Sequence, residues 1–207
     1  MQVEMIKILL KIKLFIVILT IGSVLKADPY SLANISQYLT NLKFLKADFL
    51  QTSADGAASS GAILIKRPGR MRFEYYKPDK TLVLISSGAL AIFDPKGDEE
   101  PITYPIKNNP ISLVLTGEVD LLNSGIVENY AKSIAEAVLT LRDPERPKRG
   151  SIALVFTGAK PELKQFTIKN ENGSSTSILL NDIEYPKKIN ETLFSISLEI
   201  NKRKNKD

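Results

Sequence analysis

An alternation of apolar and polar residues with a period of two, repeated in short segments along most of the chain, is the feature that most constrains the fold. Met71 and Phe73, for example, flank Arg72. Turn residues divide the segments at Pro68-Gly69, Pro78-Asp79, Ser87-Gly88 and Asp94-Pro95-Lys96-Gly97. Successive side chains of a strand point to opposite faces of a sheet. Short alternating segments separated by such turns therefore predict an antiparallel β-meander.

The same pattern continues in the second half of the chain. Ile126–Leu141 is rich in Ala and Glu, which favours a helix by local propensity, but Val138, Thr140 and Arg142 alternate with apolar residues. We predict two strands there and a last strand at Leu193–Ile200. The total is about a dozen strands in one domain, a size normal for a chain of 207 residues.

Two segments follow a helical pattern instead. Asp28 is predicted to cap a helix whose first residue is Pro29, with Leu32, Ile35 and Leu39 forming an apolar stripe along it. A second, short helix is predicted at Ile111–Thr116, where almost every side is apolar. Such a short helix does not stand alone in water. It must be buried, or it must close over something apolar.

Two short helices cannot cover a sheet of about a dozen strands. Thr81–Ser86 and Ile152–Phe156 carry apolar residues on both faces in places. We therefore expect a curved, mainly β sheet whose inner face encloses a hydrophobic cavity, the arrangement that small lipid-binding barrels use.

Composition narrows the chemistry, because the chain contains no Cys, no His and no Trp. Cys nucleophiles, disulfides, Cys/His zinc sites and imidazole bases are therefore excluded, and no cofactor motif or metal-ligand spacing is present. A hydrolase using a carboxylate of Asp94 or Glu99 stays open as an alternative. The basic run Lys66–Arg72 beside aromatic residues resembles a nucleic-acid strand, but a solvated strand end is favoured.

The positive charge of the chain is concentrated at its two ends. The net charge is +5, yet the body without residues 1–27 and without the tail from Lys202 has 20 basic and 21 acidic side chains. Binding to nucleic acid is therefore not expected. Lysines before the apolar run Leu14–Val24 predict a cleavable signal peptide over residues 1–27 and export from the cytoplasm. Residues 201–207 are predicted to be a basic disordered tail.

Several segments, taken together in their order and spacing, resemble the outer-membrane lipoprotein carrier (LolA) family. The most specific is Gly61–Glu74, which contains Lys66-Arg67-Pro68 and resembles the signature strand pair of that family. The other matching segments are Phe44–Gln51, Pro78 with Leu82–Gly88, Phe93–Pro95, Asn109–Leu115, Leu163–Gly173 and, weakly, Phe194–Ile196. The resemblance departs at Asn123–Arg149, at the C-terminal end and in the missing tryptophans, for which Phe73, Tyr75 and Phe93 are expected to substitute.

The resemblance implies an incomplete, unclosed antiparallel β-barrel over residues 28–200, with an N-terminal helix and a short helical lid, Ile111–Thr116. It implies a monomeric, non-enzymatic periplasmic protein without a cofactor. Such a protein takes acylated lipoproteins from an ATP-driven release complex of the inner membrane and passes them to an outer-membrane acceptor. It further implies that Arg67 bonds to the lid backbone and latches the empty cavity. A lipid or lipoprotein sensor of the same fold is the alternative.

Strand alternation suggests which side chains line the cavity for acyl chains. The candidates are Leu32, Ile35, Leu39, Phe49, Ile63, Ile65, Phe73, Leu84, Ile92, Ile111, Val114, Phe156 and Ile168.

Overall fold

A computed structural model describes residues 28–95 and 100–205. The expected signal peptide, residues 1–27, lies outside the described residues. The described part contains three α-helices, eleven strands and three short 3₁₀ helices. The α-helices are α1 (Leu32–Asn41), α2 (Ser112–Leu115) and α3 (Ile196–Lys204), and the 3₁₀ helices are η1 (Ile106–Asn108), η2 (Pro147–Arg149) and η3 (Glu191–Phe194). The strands are β1 (Phe44–Ser53), β2 (Ala58–Lys66), β3 (Arg70–Tyr75), β4 (Leu82–Ser86), β5 (Ala89–Phe93), β6 (Ile102–Pro105), β7 (Val127–Lys132), β8 (Glu136–Leu141), β9 (Ser151–Thr157), β10 (Glu162–Lys169) and β11 (Ser175–Glu184).

All eleven strands form one antiparallel sheet in the order β6-β5-β4-β3-β2-β1-β11-β10-β9-β8-β7. The long strand β1 lies at the centre, between β2 and β11. Within the described residues, β6 and β7 each pair on one side only, so the sheet curves without closing. The expectation of a mainly β, incomplete barrel is confirmed, and so are the two strands predicted within Ile126–Leu141.

The alternation in β1 shows how the sequence separates the two faces. Leu45, Ala47 and Phe49 are buried, whereas Lys46 and Asp48 between them are exposed. The buried row faces the main core, which α1 covers with Ile35 and Leu39. The sheet and its first helix thus share one hydrophobic interior.

Gly61 on β2 is required by the packing of this interior. A Cβ atom at this position would lie 2.3 Å from the carbonyl oxygen of Glu74 and 2.7 Å from the ring of Phe49. The absent side chain makes room for Phe49, whose ring makes edge contacts with Phe73 and Tyr75 at centroid distances of 5.6 and 5.1 Å. Edge-to-face pairs of this kind add to the stability that burial provides.

The N-terminal helix begins three residues later than predicted. Asp28 accepts a hydrogen bond from the Tyr30 amide in a turn. Ser31 is the N-cap of α1, because its side chain accepts from the Asn34 amide and satisfies a free donor of the first turn.

The C-terminal end differs most from the sequence-based expectation. The predicted strand Leu193–Ile200 is wrong: this segment forms the end of η3 and the first part of α3. Ser195 caps α3, and the helix continues to Lys204, through residues assigned to a disordered tail. Ile196 and Ile200 of α3 pack on the outer face of the sheet, which explains why the segment looked half-apolar.

The outer face of β4 and β5 carries a second hydrophobic cluster beneath α3. It consists of Leu82, Leu84, Ala91 and Phe93, and the guanidinium of Arg203 lies 4.8 Å from the Phe93 ring centroid. Leu84 was predicted to line the inner cavity, but it lies on the opposite face. Val83 and Ile85 face inward instead. The prediction failed because β4 is apolar on both faces, and alternation alone does not show which face is the inner one.

Replacing Leu84 by Ala should therefore lower the free energy of unfolding by about 2–5 kcal/mol, since its fully buried side chain leaves a cavity under α3. Leu198→Ala, on the half-exposed side of α3, is the control and should change it by less than about 0.5 kcal/mol. Urea unfolding of both variants checks this. Equal losses in the two variants would contradict the assignment of Leu84 to the helix-covered face.

Candidate functional site: the apolar interior beneath the lid

The lid crosses the open side of the sheet between its two edge strands. Asn109-Pro110 introduces it, and the Asn109 side chain accepts from the Ile111 amide at 3.0 Å, which fixes the turn into α2. Ile111 and Leu115 are buried in the main core, whereas Leu113 and Val114 are half-buried against it. This four-residue helix is held by its contacts with the barrel, as its length requires.

Two hydrogen bonds attach the end of the lid to the turn between β2 and β3. The Gly69 amide donates to the carbonyl oxygen of Leu115 at 2.8 Å. The Arg67 Nη2 atom donates to the carbonyl oxygen of Thr116 at 2.5 Å. The resemblance implied a bond from Arg67 to the lid backbone, and the guanidinium lies at that place.

A second set of bonds joins the chain just after the lid to helix α1. Ser36 Oγ donates to the carbonyl oxygen of Val119 and accepts from the Leu121 amide at 3.3 Å. Thr40 Oγ1 accepts from the Val119 amide, also at 3.3 Å. Val119 and Leu121 are buried in the main core. The lid and α1 are thus tied to each other as well as to the sheet.

Arg67 is an unusual side chain for such a position. Only 6% of its surface is exposed, and no carboxylate pairs with it among the described residues. Its Nε and Nη1 atoms are buried without a hydrogen-bond partner in the part of the chain that is described. Burial lowers the pKa of Arg67 from its ordinary value to about 10, an effect that the nearby Tyr38 only partly offsets. The guanidinium is therefore charged at neutral pH.

The interior beneath the lid holds a small cavity of about 30 Å³. Because one water needs roughly 10–15 Å³ by this measure, the space holds about two waters. It is lined by Leu39, Ile65, Arg67, Met71, Ile111, Val114, Leu115, Ile152, Leu154, Leu163 and Phe166. Arg67 is the one charged group in an otherwise apolar wall. The expected hollow exists at the expected place, but it is almost filled by the protein's own side chains.

The predicted cavity residues fall into five groups. Leu39, Ile65, Ile111 and Val114 line the cavity. Ile35, Phe49, Ile63, Phe73 and Phe156 lie in the surrounding core, and Leu32 and Ile168 pack half-buried against it. Ile92 is half-buried on β5 and belongs to neither cluster, and Leu84 lies on the outer face.

The sequence reasoning missed Met71, Leu115, Ile152, Leu154, Leu163 and Phe166. A step of two residues along a strand would have found four of them. Met71 precedes Phe73 by two, and Phe166 precedes Ile168 by two. Likewise, Leu154 and Ile152 continue the row of Phe156. Leu163 lies beyond an irregularity in the pairing of β10 with β9, which interrupts that rule.

Asp94, one of the two acids considered for a hydrolase, is not brought into this interior. Asp94 follows β5, and its carbonyl oxygen accepts from Arg203 of α3 on the outer side of the sheet. Glu99 lies outside the described residues. No group of three or more potential metal-ligating side chains occurs within residues 28–95 and 100–205. No helix in that part of the chain is long and apolar enough to cross a membrane.

Comparison with known proteins agrees with this architecture. Residues 40–197, which are more than half of the chain, match the family model described as outer membrane lipoprotein carrier protein LolA. A protein of Coxiella burnetii called outer-membrane lipoprotein carrier protein is 26% identical over 203 residues, covering 91% of this chain and 92% of the relative.

A relative of the same name from Dechloromonas aromatica is 29% identical over 174 residues and covers 77% of this chain and 80% of its own. A solved LolA superfamily protein from Nitrosomonas europaea shares 10% identity at a TM-score of 0.44, covering 81% of this chain and 99% of that one. From the match to residues 40–197, the chain belongs to the LolA family of outer membrane lipoprotein carrier proteins.

Proposed function

We propose that this protein is a periplasmic, cofactor-free carrier of lipoproteins without enzymatic activity. It shields their acyl chains between an ATP-driven release complex in the inner membrane and an acceptor at the outer membrane. Family membership supports the carrier role. The observation that carries the proposal is an apolar interior closed by a lid that a few hydrogen bonds hold in place.

The cargo explains why such an interior is needed. Moving one methylene from water into an apolar environment gains about 0.8 kcal/mol. A chain of about sixteen carbons therefore favours its membrane over water by roughly 12 kcal/mol. A carrier makes the crossing possible because it replaces the membrane with a protein interior of comparable polarity.

We infer that this structure corresponds to the closed form of the carrier. A cavity of about 30 Å³ has no room for an acyl chain, so the lid must move before cargo binds. Opening breaks the bonds from Gly69 and Arg67, at a net cost of about 1 kcal/mol for a neutral bond and somewhat more for the charged one. The reformation of these bonds favours the empty form and helps to return the cargo to the acceptor.

The bonds to α1 indicate which parts move. Ser36 and Thr40 hold the chain after the lid against α1, whereas Arg67 and Gly69 hold the lid against the sheet. We propose that α1 and residues 111–121 move as one unit away from the β2–β3 turn. This motion uncovers the whole row of cavity residues at once.

Replacing Arg67 by Leu should leave uptake of lipoprotein intact and slow its release. The variant lacks the bond between Arg67 and the lid, so the returning lid no longer helps to displace the cargo. The measurement is the transfer of a purified acylated lipoprotein from the carrier to acceptor membranes, where at least a tenfold lower rate is expected.

Arg70→Leu is the matched control, because Arg70 lies three residues away, at the start of β3, and does not line the cavity. It should transfer lipoprotein at the normal rate. Normal transfer by Arg67→Leu would rule out the latch role. A wild-type protein that binds acyl chains but never takes lipoprotein from inner-membrane vesicles would be a sensor and not a carrier.

A second prediction concerns stability. Removing one partner of a buried ion pair usually costs about 3–5 kcal/mol. Arg67 has no such partner in the part of the chain that is described, and its replacement leaves only the Thr116 carbonyl without a donor. The variant also escapes the cost of burying a charge. Arg67→Met should therefore change the free energy of unfolding at pH 7 by no more than about 1 kcal/mol.

The difference in the free energy of unfolding between wild type and Arg67→Met should depend on pH. The pKa of Arg67 in the folded protein is depressed to about 10, so above that pH the unfolded chain holds the proton more tightly than the folded one. The wild type should therefore gain stability relative to Arg67→Met as pH rises above 10. Denaturant unfolding of both proteins at pH 7 and at several values above 9 tests this. A loss of 3 kcal/mol or more at pH 7 would show an anionic partner.

A further inference from the structure

The guanidinium of Arg67 has more hydrogen-bonding capacity than the lid uses. The bond to the Thr116 carbonyl occupies Nη2, while Nε and Nη1 are buried with no acceptor among the described residues. Buried donors are almost always satisfied in native proteins, and a charged donor left alone is especially costly. Two donor nitrogens of this buried cation, Nε and Nη1, are therefore available to a ligand that enters the cavity lined by Arg67.

The position of Arg67 indicates what kind of ligand this is. Arg67 directly follows β2 at the rim of the barrel, and Ile65, two residues before it, lines the same cavity. The remaining ten lining side chains are all apolar. The site thus offers donors at one end and hydrocarbon contacts along the rest. An acyl chain has the complementary form, with carbonyl oxygens at its head and methylenes behind.

We propose that Arg67 binds the carbonyl oxygen at the head of an acyl chain that occupies the opened cavity. This inference rests on the proposed function and names the chemical group that the same site recognises. When the lid opens, the bond to Thr116 is lost and a third donor becomes free. The planar fork of donors then suits the oxygens of an ester or amide, or the carboxylate of a free fatty acid.

Arg67 would then have a different partner in each state. In the empty form it binds the lid, and in the loaded form it binds the cargo. The Nη2 atom holds the lid in the closed form, whereas Nε and Nη1 have no acceptor among the described residues and are available for the head of the chain.

The decisive experiment compares two lipids that differ only in the carbonyl groups. Binding of an ester-linked diacylglycerol and of the ether-linked dialkylglycerol of equal chain length is measured by displacement of a fluorescent probe from the full chain. Wild type should bind the ester about tenfold more tightly, a difference of about 1.4 kcal/mol. Arg67→Leu should bind both lipids equally, and Arg70→Leu should keep the wild-type preference.

A second pair of probes identifies the source of the carbonyl. A free fatty acid that binds wild type at least tenfold more tightly than its methyl ester, with the difference lost in Arg67→Leu, would show that the site reads carboxylates. Equal or tighter binding of the ester would assign the site to the esterified chains of a lipid anchor.

Equal affinity of wild type for the ester and ether lipids would overturn the inference, and so would a preference that persists in Arg67→Leu. Neither result touches the carrier function, which fails only if wild type binds none of these lipids and takes up no lipoprotein. Thermal unfolding checks that each variant is folded. Should Arg67→Leu not fold, Arg67→Lys replaces it; this variant keeps the charge on a single nitrogen and should lose most of the preference.

Discussion

A guanidinium buried with no counter-ion among the described residues is the feature on which the rest of this structure depends. The cost of placing the charge of Arg67 in an apolar interior is offset only in part by its bond to the Thr116 carbonyl. A well-packed hydrophobic core would be more stable with an aliphatic residue there. For the carrier function proposed above, the buried charge reduces the free-energy difference between the closed and open forms. A ligand then needs less binding energy to open the lid.

The rest of the fold supports this balance. An antiparallel sheet of eleven strands, with β1 paired on both sides, provides a rigid wall that does not need the lid for its own pairing. The edges β6 and β7 do not meet within the described residues, which leaves a side of the barrel for α1 and the lid to cover. The outer cluster under α3 stabilises β4 and β5 independently of the inner cavity. Opening the lid therefore exposes the interior without unfolding the sheet.

Much of this architecture is predictable from alternation and turn residues. The two strands within Ile126–Leu141 follow from alternation even where local propensity favours a helix. The C-terminal segment is different, because Ile196 and Ile200 are four apart, and a pair at that spacing also fits an alternating strand. The face of Leu84 is not predictable either, since β4 is apolar on both sides and only tertiary packing distinguishes them. The sequence also does not show that Arg67 lacks a carboxylate partner among the described residues, because this depends on which side chains the fold brings near it.

In the proposed mechanism, cargo enters when the lid moves away from the β2–β3 turn. The amide of Gly69 is a direct probe of this movement. Its hydrogen bond to the Leu115 carbonyl exists only while the lid is closed. Hydrogen exchange at this amide can be measured on the free protein, with an acylated lipoprotein, and with the same polypeptide lacking its acyl chains. We expect protection of Gly69 to be lost with the acylated form alone. Undiminished protection while the acylated protein is bound would mean that the chains do not enter beneath the lid.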